Sequence, residues 1–233
     1  MAMTGQVCIV TGASRGIGRA TVMRLCRSGA QVIAAARTQS TLDKLVLECE
    51  GLAKQVLPQP CDVTDPEDVQ ALIERCRSEF SRLDVLINNA GTAPLSPVAS
   101  MRDEDFDTLY RMNIESVFHL TRAAWPLLKK QGGTIINVSS QAAVDPFPGF
   151  AAYGASKAWV NAFTRACATE GKPDGIKVFG VAPGAVETDM LRGLFPDFPK
   201  DQTVTPDHVA AMIEWLLDER CRYSTGQIVD VRK

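Results

Sequence analysis

The sequence predicts an α/β protein built on a single doubly wound parallel sheet of about seven strands flanked by helices. Three observations predict it. Short β-branched runs alternate with longer amphipathic runs along the whole chain, the pattern of repeated β-α-β units. The first such run, "QVCIVTG", leads directly into a glycine-rich turn and a helix. No internal repeat, low-complexity stretch or linker divides the 233 residues, a length at which one fold buries roughly 70% of the unfolded chain's surface. Residues 1–233 therefore read as one domain.

In chain order, the short runs give strands at Val7–Thr11, Gln31–Ala36, Lys54–Gln59, Val85–Asn88, Gly133–Ser139, Lys177–Ala182 and Gln227–Val231. The amphipathic runs give helices at Gly16–Ser28, Thr38–Glu50, Pro66–Phe80, Arg102–Lys130, Phe150–Gly171 and Pro206–Leu217. The third helix has the clearest start. Thr64 or Asp65 can cap it, Pro66 fits its first turn, and acidic residues follow. Ligands of such sheets bind beyond the carboxyl ends of the strands, so the loops there are where function is sought.

Composition excludes several partners. A net charge of -2 and a pI near 5.8 leave no electrostatic footprint for nucleic acid or an anionic membrane. No apolar run reaches the length of a membrane span. The first strand begins too early to leave room for a secretory signal. The seven cysteines form no C-x-x-C pair and several lie in apolar runs, which points to a reducing, cytoplasmic setting. His119 and His208 lie far apart without a metal-like ligand set, so no metal is expected.

The turn after the first strand, "TGASRGIG", places Gly12, Gly16 and Gly18 at the opening of a helix. Glycines there permit a tight turn and close backbone approach, and the helix N-terminus offers free N–H groups to a pyrophosphate. Ser14 and Arg15 add donors inside the loop. The second strand ends at Arg37, where a site for NAD usually carries an acid for the ribose hydroxyls. Arg37 and Arg15 together suit a 2′-phosphate, which favours NADP(H) and leaves NAD(H) possible. In "AAYGASK", Tyr153 and Lys157 lie one helical turn apart on a shared face. Alone, such a pair is better explained by a lysine stacked on a surface ring.

Six stretches in order decide between those readings. "TGASRGIG", "CDVTD", "NNAG", "NVSS", "YGASK" and "PGAVETDM" resemble the motifs of the short-chain dehydrogenases/reductases, including the 3-oxoacyl-carrier-protein reductases, from residue 6 to 231. The resemblance implies a Rossmann-type fold and a catalytic set of Asn113, Ser140, Tyr153 and Lys157. It implies cofactor contacts from Gly12, Ser14, Arg15, Gly16, Ile17 and Gly18, with Asp62 and Val63 at the adenine. It adds Asn89, Ala90 and Gly91, then Pro183, Gly184, Val186 and Thr188 at the nicotinamide end, with Tyr153 and Lys157 also touching cofactor. Asn88 and Asp84 are expected to hold their turn. Ser139, neighbour of Ser140, is expected to touch cofactor at most.

In that family's chemistry, Tyr153 is the general acid/base, and the ammonium of Lys157 is expected to lower its pKa while holding the ribose. Ser140 is expected to orient the carbonyl oxygen and Asn113 to hold a water that joins Lys157 to solvent. The implied reaction is hydride transfer between NADP(H) and a small-molecule carbonyl or secondary alcohol, with a 3-oxoacyl thioester leading and a sugar or diketone as the alternative. A non-catalytic NADP(H) sensor is the other class, disfavoured because all four residues are present. The family also implies a homodimer or homotetramer. Three departures bear on substrate and packing: a rather short segment after "PGAVETD", no arginine ahead of "TPDHVA", and the tail "DVRK". Residues 189–204 mix large apolar groups with prolines and are expected to form a substrate lid, a subunit contact being the alternative.

Overall fold

A computed structural model describes residues 2–52 and 56–233. Seven strands run parallel in one sheet: β1 (Val7–Thr11), β2 (Gln31–Ala36), β3 (Val56–Pro60), β4 (Val85–Asn88), β5 (Thr134–Val138), β6 (Lys177–Pro183) and β7 (Ile228–Val231). Their order is β3-β2-β1-β4-β5-β6-β7, so the winding reverses between β1 and β4. The helices among the described residues are α1 (Gly16–Arg27), α2 (Gln39–Glu48), α3 (Pro66–Phe80), α4 (Asp103–Tyr110), α5 (Ser116–Lys129), α6 (Ala151–Glu170), α7 (Asp189–Leu194) and α8 (Pro206–Leu216).

Strand side chains alternate between two apolar layers, as the period of two demands. Cys8 and Val10 face α1, α2 and α8 with Val22, Leu25, Leu42, Val209 and Ile213. Val7 and Ile9 face α3, α5 and α6 with Leu72, Ile73, Leu120, Leu127 and Cys167. All seven cysteines are free and buried in these layers. Among the described residues, no helix is long and apolar enough to cross a membrane.

The strands fall where the sequence placed them to within a residue at each described end. Lys54 and Gln55 of the third lie outside the described residues. Asp65 is the cap of α3, accepting from Glu67 N at 2.8 Å, and Ser81 closes that helix at φ 57°. Thr205 caps α8 through His208 N, and the His208 ring closes the capping box, a structural role. The chain is helical from Asp103 to Lys129, close to the expected Arg102–Lys130, but a π-helical turn, Arg111–Glu115, lies between α4 and α5. Such turns insert an extra residue into the i→i+4 ladder and have no periodicity signature of their own.

Candidate active site

The carboxyl end of β1 shows why the loop needs its glycines. Gly12 and Gly16 sit at φ 63° and 53°, a region that side chains rarely enter. A Cβ on Gly18 would lie 2.2 Å from the Gly12 carbonyl oxygen, so α1 packs onto its own turn only with glycine there. The turn is stitched to the end of β4. Asn89 Nδ2 donates to Thr11 O at 2.8 Å, and the Thr11 hydroxyl accepts from Asn89 N and Ala90 N at 3.1 Å each. No side chain caps α1, so its first N–H groups remain available to an anion. Thr11 is a site residue that sequence reasoning missed, because a strand-end threonine carries no distinguishing pattern.

Asp62, at the turn after β3, faces Arg37. Burial works to raise its pKa, but hydrogen bonds from Thr64 N and Thr64 Oγ1 at 2.9 and 2.7 Å, with the Arg37 charge, hold it below the usual carboxylate value. Asn88 and Asp84 play the structural parts expected. Asn88 bonds Thr121 and Asn137, and Asp84 accepts from Val7 N and pairs with Arg82.

The second half of the site is built at the start of α6. A Cβ on Gly154 would meet the Ala142 carbonyl at 2.5 Å, which explains the small residues around Tyr153: the helix presses onto the turn that holds Ser140. The Ser140 hydroxyl accepts from Ala142 N at 3.1 Å and lies close enough to the Tyr153 phenol to oppose the rise in its pKa. Ser139 turns inward and donates to Lys157 O at 3.2 Å, so it braces α6 and leaves Ser140 as the serine beside the tyrosine. Lys157 is only 5% exposed, and its ammonium donates to Val138 O at 2.9 Å.

Asn113 occupies the π turn and is buried, which removes the solvent-facing alternative. Its Oδ1 accepts from Thr92 N at 2.9 Å, while Nδ2 donates to Thr92 O and Ser156 Oγ at 2.9 and 3.1 Å. These bonds hold the 91–92 backbone so that a Cβ on Gly91 would fall 3.3 Å from Asn113 Oδ1 and 3.5 Å from Lys157 Nζ.

One cavity of about 640 Å³ joins both halves. Every sequence-predicted binding residue except Gly18, and every catalytic one except Asn113, lines it. The structure adds Gln141, Gln202, Arg232 and Lys233, which come from loops whose convergence no local spacing reveals. Gln141 Oε1 is buried there with no partner among the described residues, an acceptor left for a ligand. The glycine walls, the uncapped helix end and this acceptor fit a dinucleotide. Residues 189–204 form α7, a loop and a short 3-10 turn at Lys200–Gln202, and Val204 then bridges Val186. Arg192 organises this segment: it grips both Glu187 oxygens at 2.7 and 2.5 Å and donates to the carbonyls of Pro196 and Phe198 at 3.0 and 2.6 Å.

Comparison with known proteins places this geometry. Residues 6–198 match the family model described as short chain dehydrogenase. The chain belongs to the short-chain dehydrogenase family. It is similar to the 3-oxoacyl-[acyl-carrier-protein] reductase of Thermotoga maritima, 36% identical over 99% of this chain and 98% of that one. It is also similar to the Escherichia coli reductase of the same name (34% identical, 99% and 97% covered). A tropinone reductase homologue of Arabidopsis thaliana is 33% identical over 98% of this chain and 90% of that protein. The crystal structure of 3-ketoacyl-(acyl-carrier-protein) reductase from Brucella melitensis complexed with NADH superposes with a TM-score of 0.91, at 30% identity, covering 99% and 98%. This short-chain dehydrogenase is accordingly an oxidoreductase.

In the free protein burial raises the Tyr153 pKa, against the lowering expected from Lys157, and the neighbouring Ser140 hydroxyl opposes that rise. The lysine's ammonium lies 6.0 Å from the ring centroid, and burial pushes its own pKa down to about 8.

The lysine shift has a stability consequence. Below pH 8, folded and unfolded chains both hold the Lys157 proton, and the full cost of burying the charge is felt, about 3 kcal/mol. Between pH 8 and 10.5 the folded state gives up its proton first, so that cost fades as pH rises. Burial pulls Tyr153 and thiols such as Cys61 and Cys76 the other way, keeping their protons in the folded state and costing stability at high pH. The Lys157 effect therefore has to be read as a difference between variants. Cofactor-free Lys157→Met is expected to be more stable than the parent by about 2 kcal/mol near neutral pH, once about 1 kcal/mol for the Val138 hydrogen bond is lost. Urea unfolding from about pH 7 to about pH 10 should show this advantage shrinking steadily. A constant difference would mean that the buried proton is not what costs stability.

Proposed function

We propose that this short-chain dehydrogenase is a reductase that moves hydride between NADP(H) and a ketone carbonyl or its secondary alcohol, with a 3-oxoacyl thioester as the leading substrate. The observation that supports it most is the convergence of the glycine turn, Arg37, Ser140, Tyr153 and Lys157 on one cavity. Near-full-length similarity to 3-oxoacyl-carrier-protein reductases supports the thioester, and similarity to a tropinone reductase homologue keeps other ketones as the second reading. When bound, the cofactor supplies or accepts the hydride.

The chain's own residues do the rest. Ser14, Arg15 and the N–H groups of Gly16, Ile17 and Gly18 hold phosphate, Asp62 and Val63 face adenine, and Asn89, Ala90 and Gly91 line the middle. Pro183, Gly184, Val186 and Thr188 hold the nicotinamide end, and Lys157 holds the ribose. Ser140 orients the carbonyl oxygen. Tyr153 donates the proton, and its raised pKa keeps the phenol in the donating form at neutral pH. In the reverse direction the same raised pKa is a hindrance, so alcohol oxidation is favoured by alkaline conditions. Asn113 fixes the backbone beside Lys157 and holds the water through which that lysine exchanges protons with solvent. A reducing cytoplasmic location fits the seven free thiols.

Tyr153→Phe is expected to keep the fold and NADPH binding and to lose at least about a hundredfold in turnover, the usual scale for a lost general acid. Steady-state loss of NADPH absorbance with a 3-oxoacyl ester checks this, and near-normal turnover would exclude Tyr153 as the proton donor.

Arg15 and Arg37 both line the cavity, and two charge-assisted contacts to a 2′-phosphate are worth about 2–4 kcal/mol. NADPH should then exceed NADH in kcat/KM by about thirtyfold or more. The Brucella melitensis complex with NADH favours the second reading, use of NAD(H). Arg37→Asp should move the preference toward NADH, and equal efficiency with both cofactors in the parent enzyme would overturn the NADP(H) reading.

Phe106, Tyr110 and Phe118 are exposed on α4 and α5, and we assign this face to a homodimer. Residues 189–204 are the lid over the cavity. Hydrogen exchange at a concentration where light scattering reports a dimer separates the two surfaces. Protection at 189–204 should rise with NADPH, and protection across 106–118 should rise with dimer formation. A monomer, or a segment 189–204 indifferent to NADPH, would reject the corresponding assignment.

A further inference from the structure

We infer that the ketones this enzyme handles best carry an aromatic ring on the carbonyl carbon, an inference that rests on the reductase reading above and narrows its substrate. Four phenylalanines from two separate segments form one wall of the cavity. Phe147 and Phe150 come from the loop before α6; Phe195 and Phe198 come from the segment after α7. The Phe150 ring lies 5.1 Å from the Tyr153 ring and 6.0 Å from Phe195, which stands 6.5 Å from Phe198. Phe147 lies 6.4 Å from Phe150.

Phe150 is fixed relative to the reacting hydroxyl. It precedes α6 by one residue, its amide donates to Phe147 O at 2.9 Å, and its carbonyl accepts from Gly154 N at 2.7 Å. Tyr153 follows one turn later on the same face. The planes of Phe150 and Phe195 stand at 81°, an edge-to-face pair. A substrate ring lying on the half-buried Phe195 or Phe198 extends this cluster with a further aromatic contact of favoured geometry. All four rings line the cavity; Phe150 is nearly buried at 7% exposed, whereas Phe195 and Phe198 are half-buried and Phe147 is 60% exposed. A straight acyl chain filling the same space gains area but loses rotamer freedom, which a rigid ring does not.

The test compares ethyl benzoylacetate with ethyl acetoacetate and ethyl 3-oxohexanoate. With NADPH, the aryl ester is expected to have at least about a tenfold higher kcat/KM than either straight-chain ester. Phe195→Leu and Phe150→Leu keep an apolar side chain at each position and should bring that ratio close to one; two variants guard against either failing to fold. Calorimetric titration of the cofactor-free enzyme, in which no turnover occurs, should show the aryl ester binding about tenfold tighter than ethyl 3-oxohexanoate. Equal or better kinetics with a straight-chain ester would overturn the inference and leave the reductase reading standing. If none of the three is reduced, the reductase reading falls, and the titration alone decides: equal affinities overturn the aromatic contact, and tighter aryl binding sustains it.

Discussion

The ammonium of Lys157, buried with the Val138 carbonyl as its bonded partner, is the constraint on which the rest of the site depends. A charge in that position is costly, as the depression of its pKa to about 8 records. The structure surrounds it with atoms held in place. Ser139 braces the backbone of Lys157 itself, Gly154 lets α6 approach the Ser140 turn, and Asn113 fixes the chain at Gly91. A Cβ at Gly91 would press on Asn113 Oδ1 at 3.3 Å and touch the lysine ammonium at 3.5 Å. A ligand that offers further acceptors to this ammonium relieves the penalty at the moment of binding. Affinity for such a ligand and instability of the free protein thus have the same origin.

The parallel sheet explains how two distant halves of the sequence meet there. Every carboxyl strand end points to one edge, and the reversal of winding between β1 and β4 leaves a gap between the flanking connections. Thr11 and Asn89 close that gap at the level of the backbone, pairing the glycine turn with the turn after β4. The Gly18 contact with the Gly12 carbonyl then sets the angle at which α1 leaves the sheet, and with it the direction of its free N–H groups. Cofactor fit is therefore a property of sheet packing as much as of the loop sequence.

Most of the fold and of the site's membership was legible before any coordinates, for a physical reason. A strand buried on both faces must be a short apolar run, and a helix folded back on a strand must open with glycine. Both leave marks in one dimension. What stayed hidden has no such mark. The π turn at Arg111–Glu115 keeps helical composition and changes only the ladder, yet it is what carries Asn113 inward. Thr11 looks like any β-branched strand residue. A helical spacing of four brings Tyr153 and Lys157 to one face but carries no sign of burial, which raises the phenol's pKa in the free protein, or of the Val138 carbonyl that the ammonium bonds.

The two sides of the cavity differ in how they are held, and that difference bears on what evolution can change. The side with Ser140, Tyr153, Lys157 and Asn113 stands on strands and a twenty-residue helix, with most polar groups paired inside the core. Substitution of Ser139 or Asn113 there leaves a buried donor or acceptor without its partner, a loss of about 1–3 kcal/mol before any chemistry is considered. On the opposite side the Val186–Val204 bridge anchors the segment, and Arg192 ties Glu187 to the carbonyls of Pro196 and Phe198 and so helps position Phe195 and Phe198. Those rings are half-buried and can be exchanged for other apolar groups without opening the core. A fixed chemistry thus faces a recognition surface held largely by local contacts, and a family with this layout can keep its reaction while its substrates diverge.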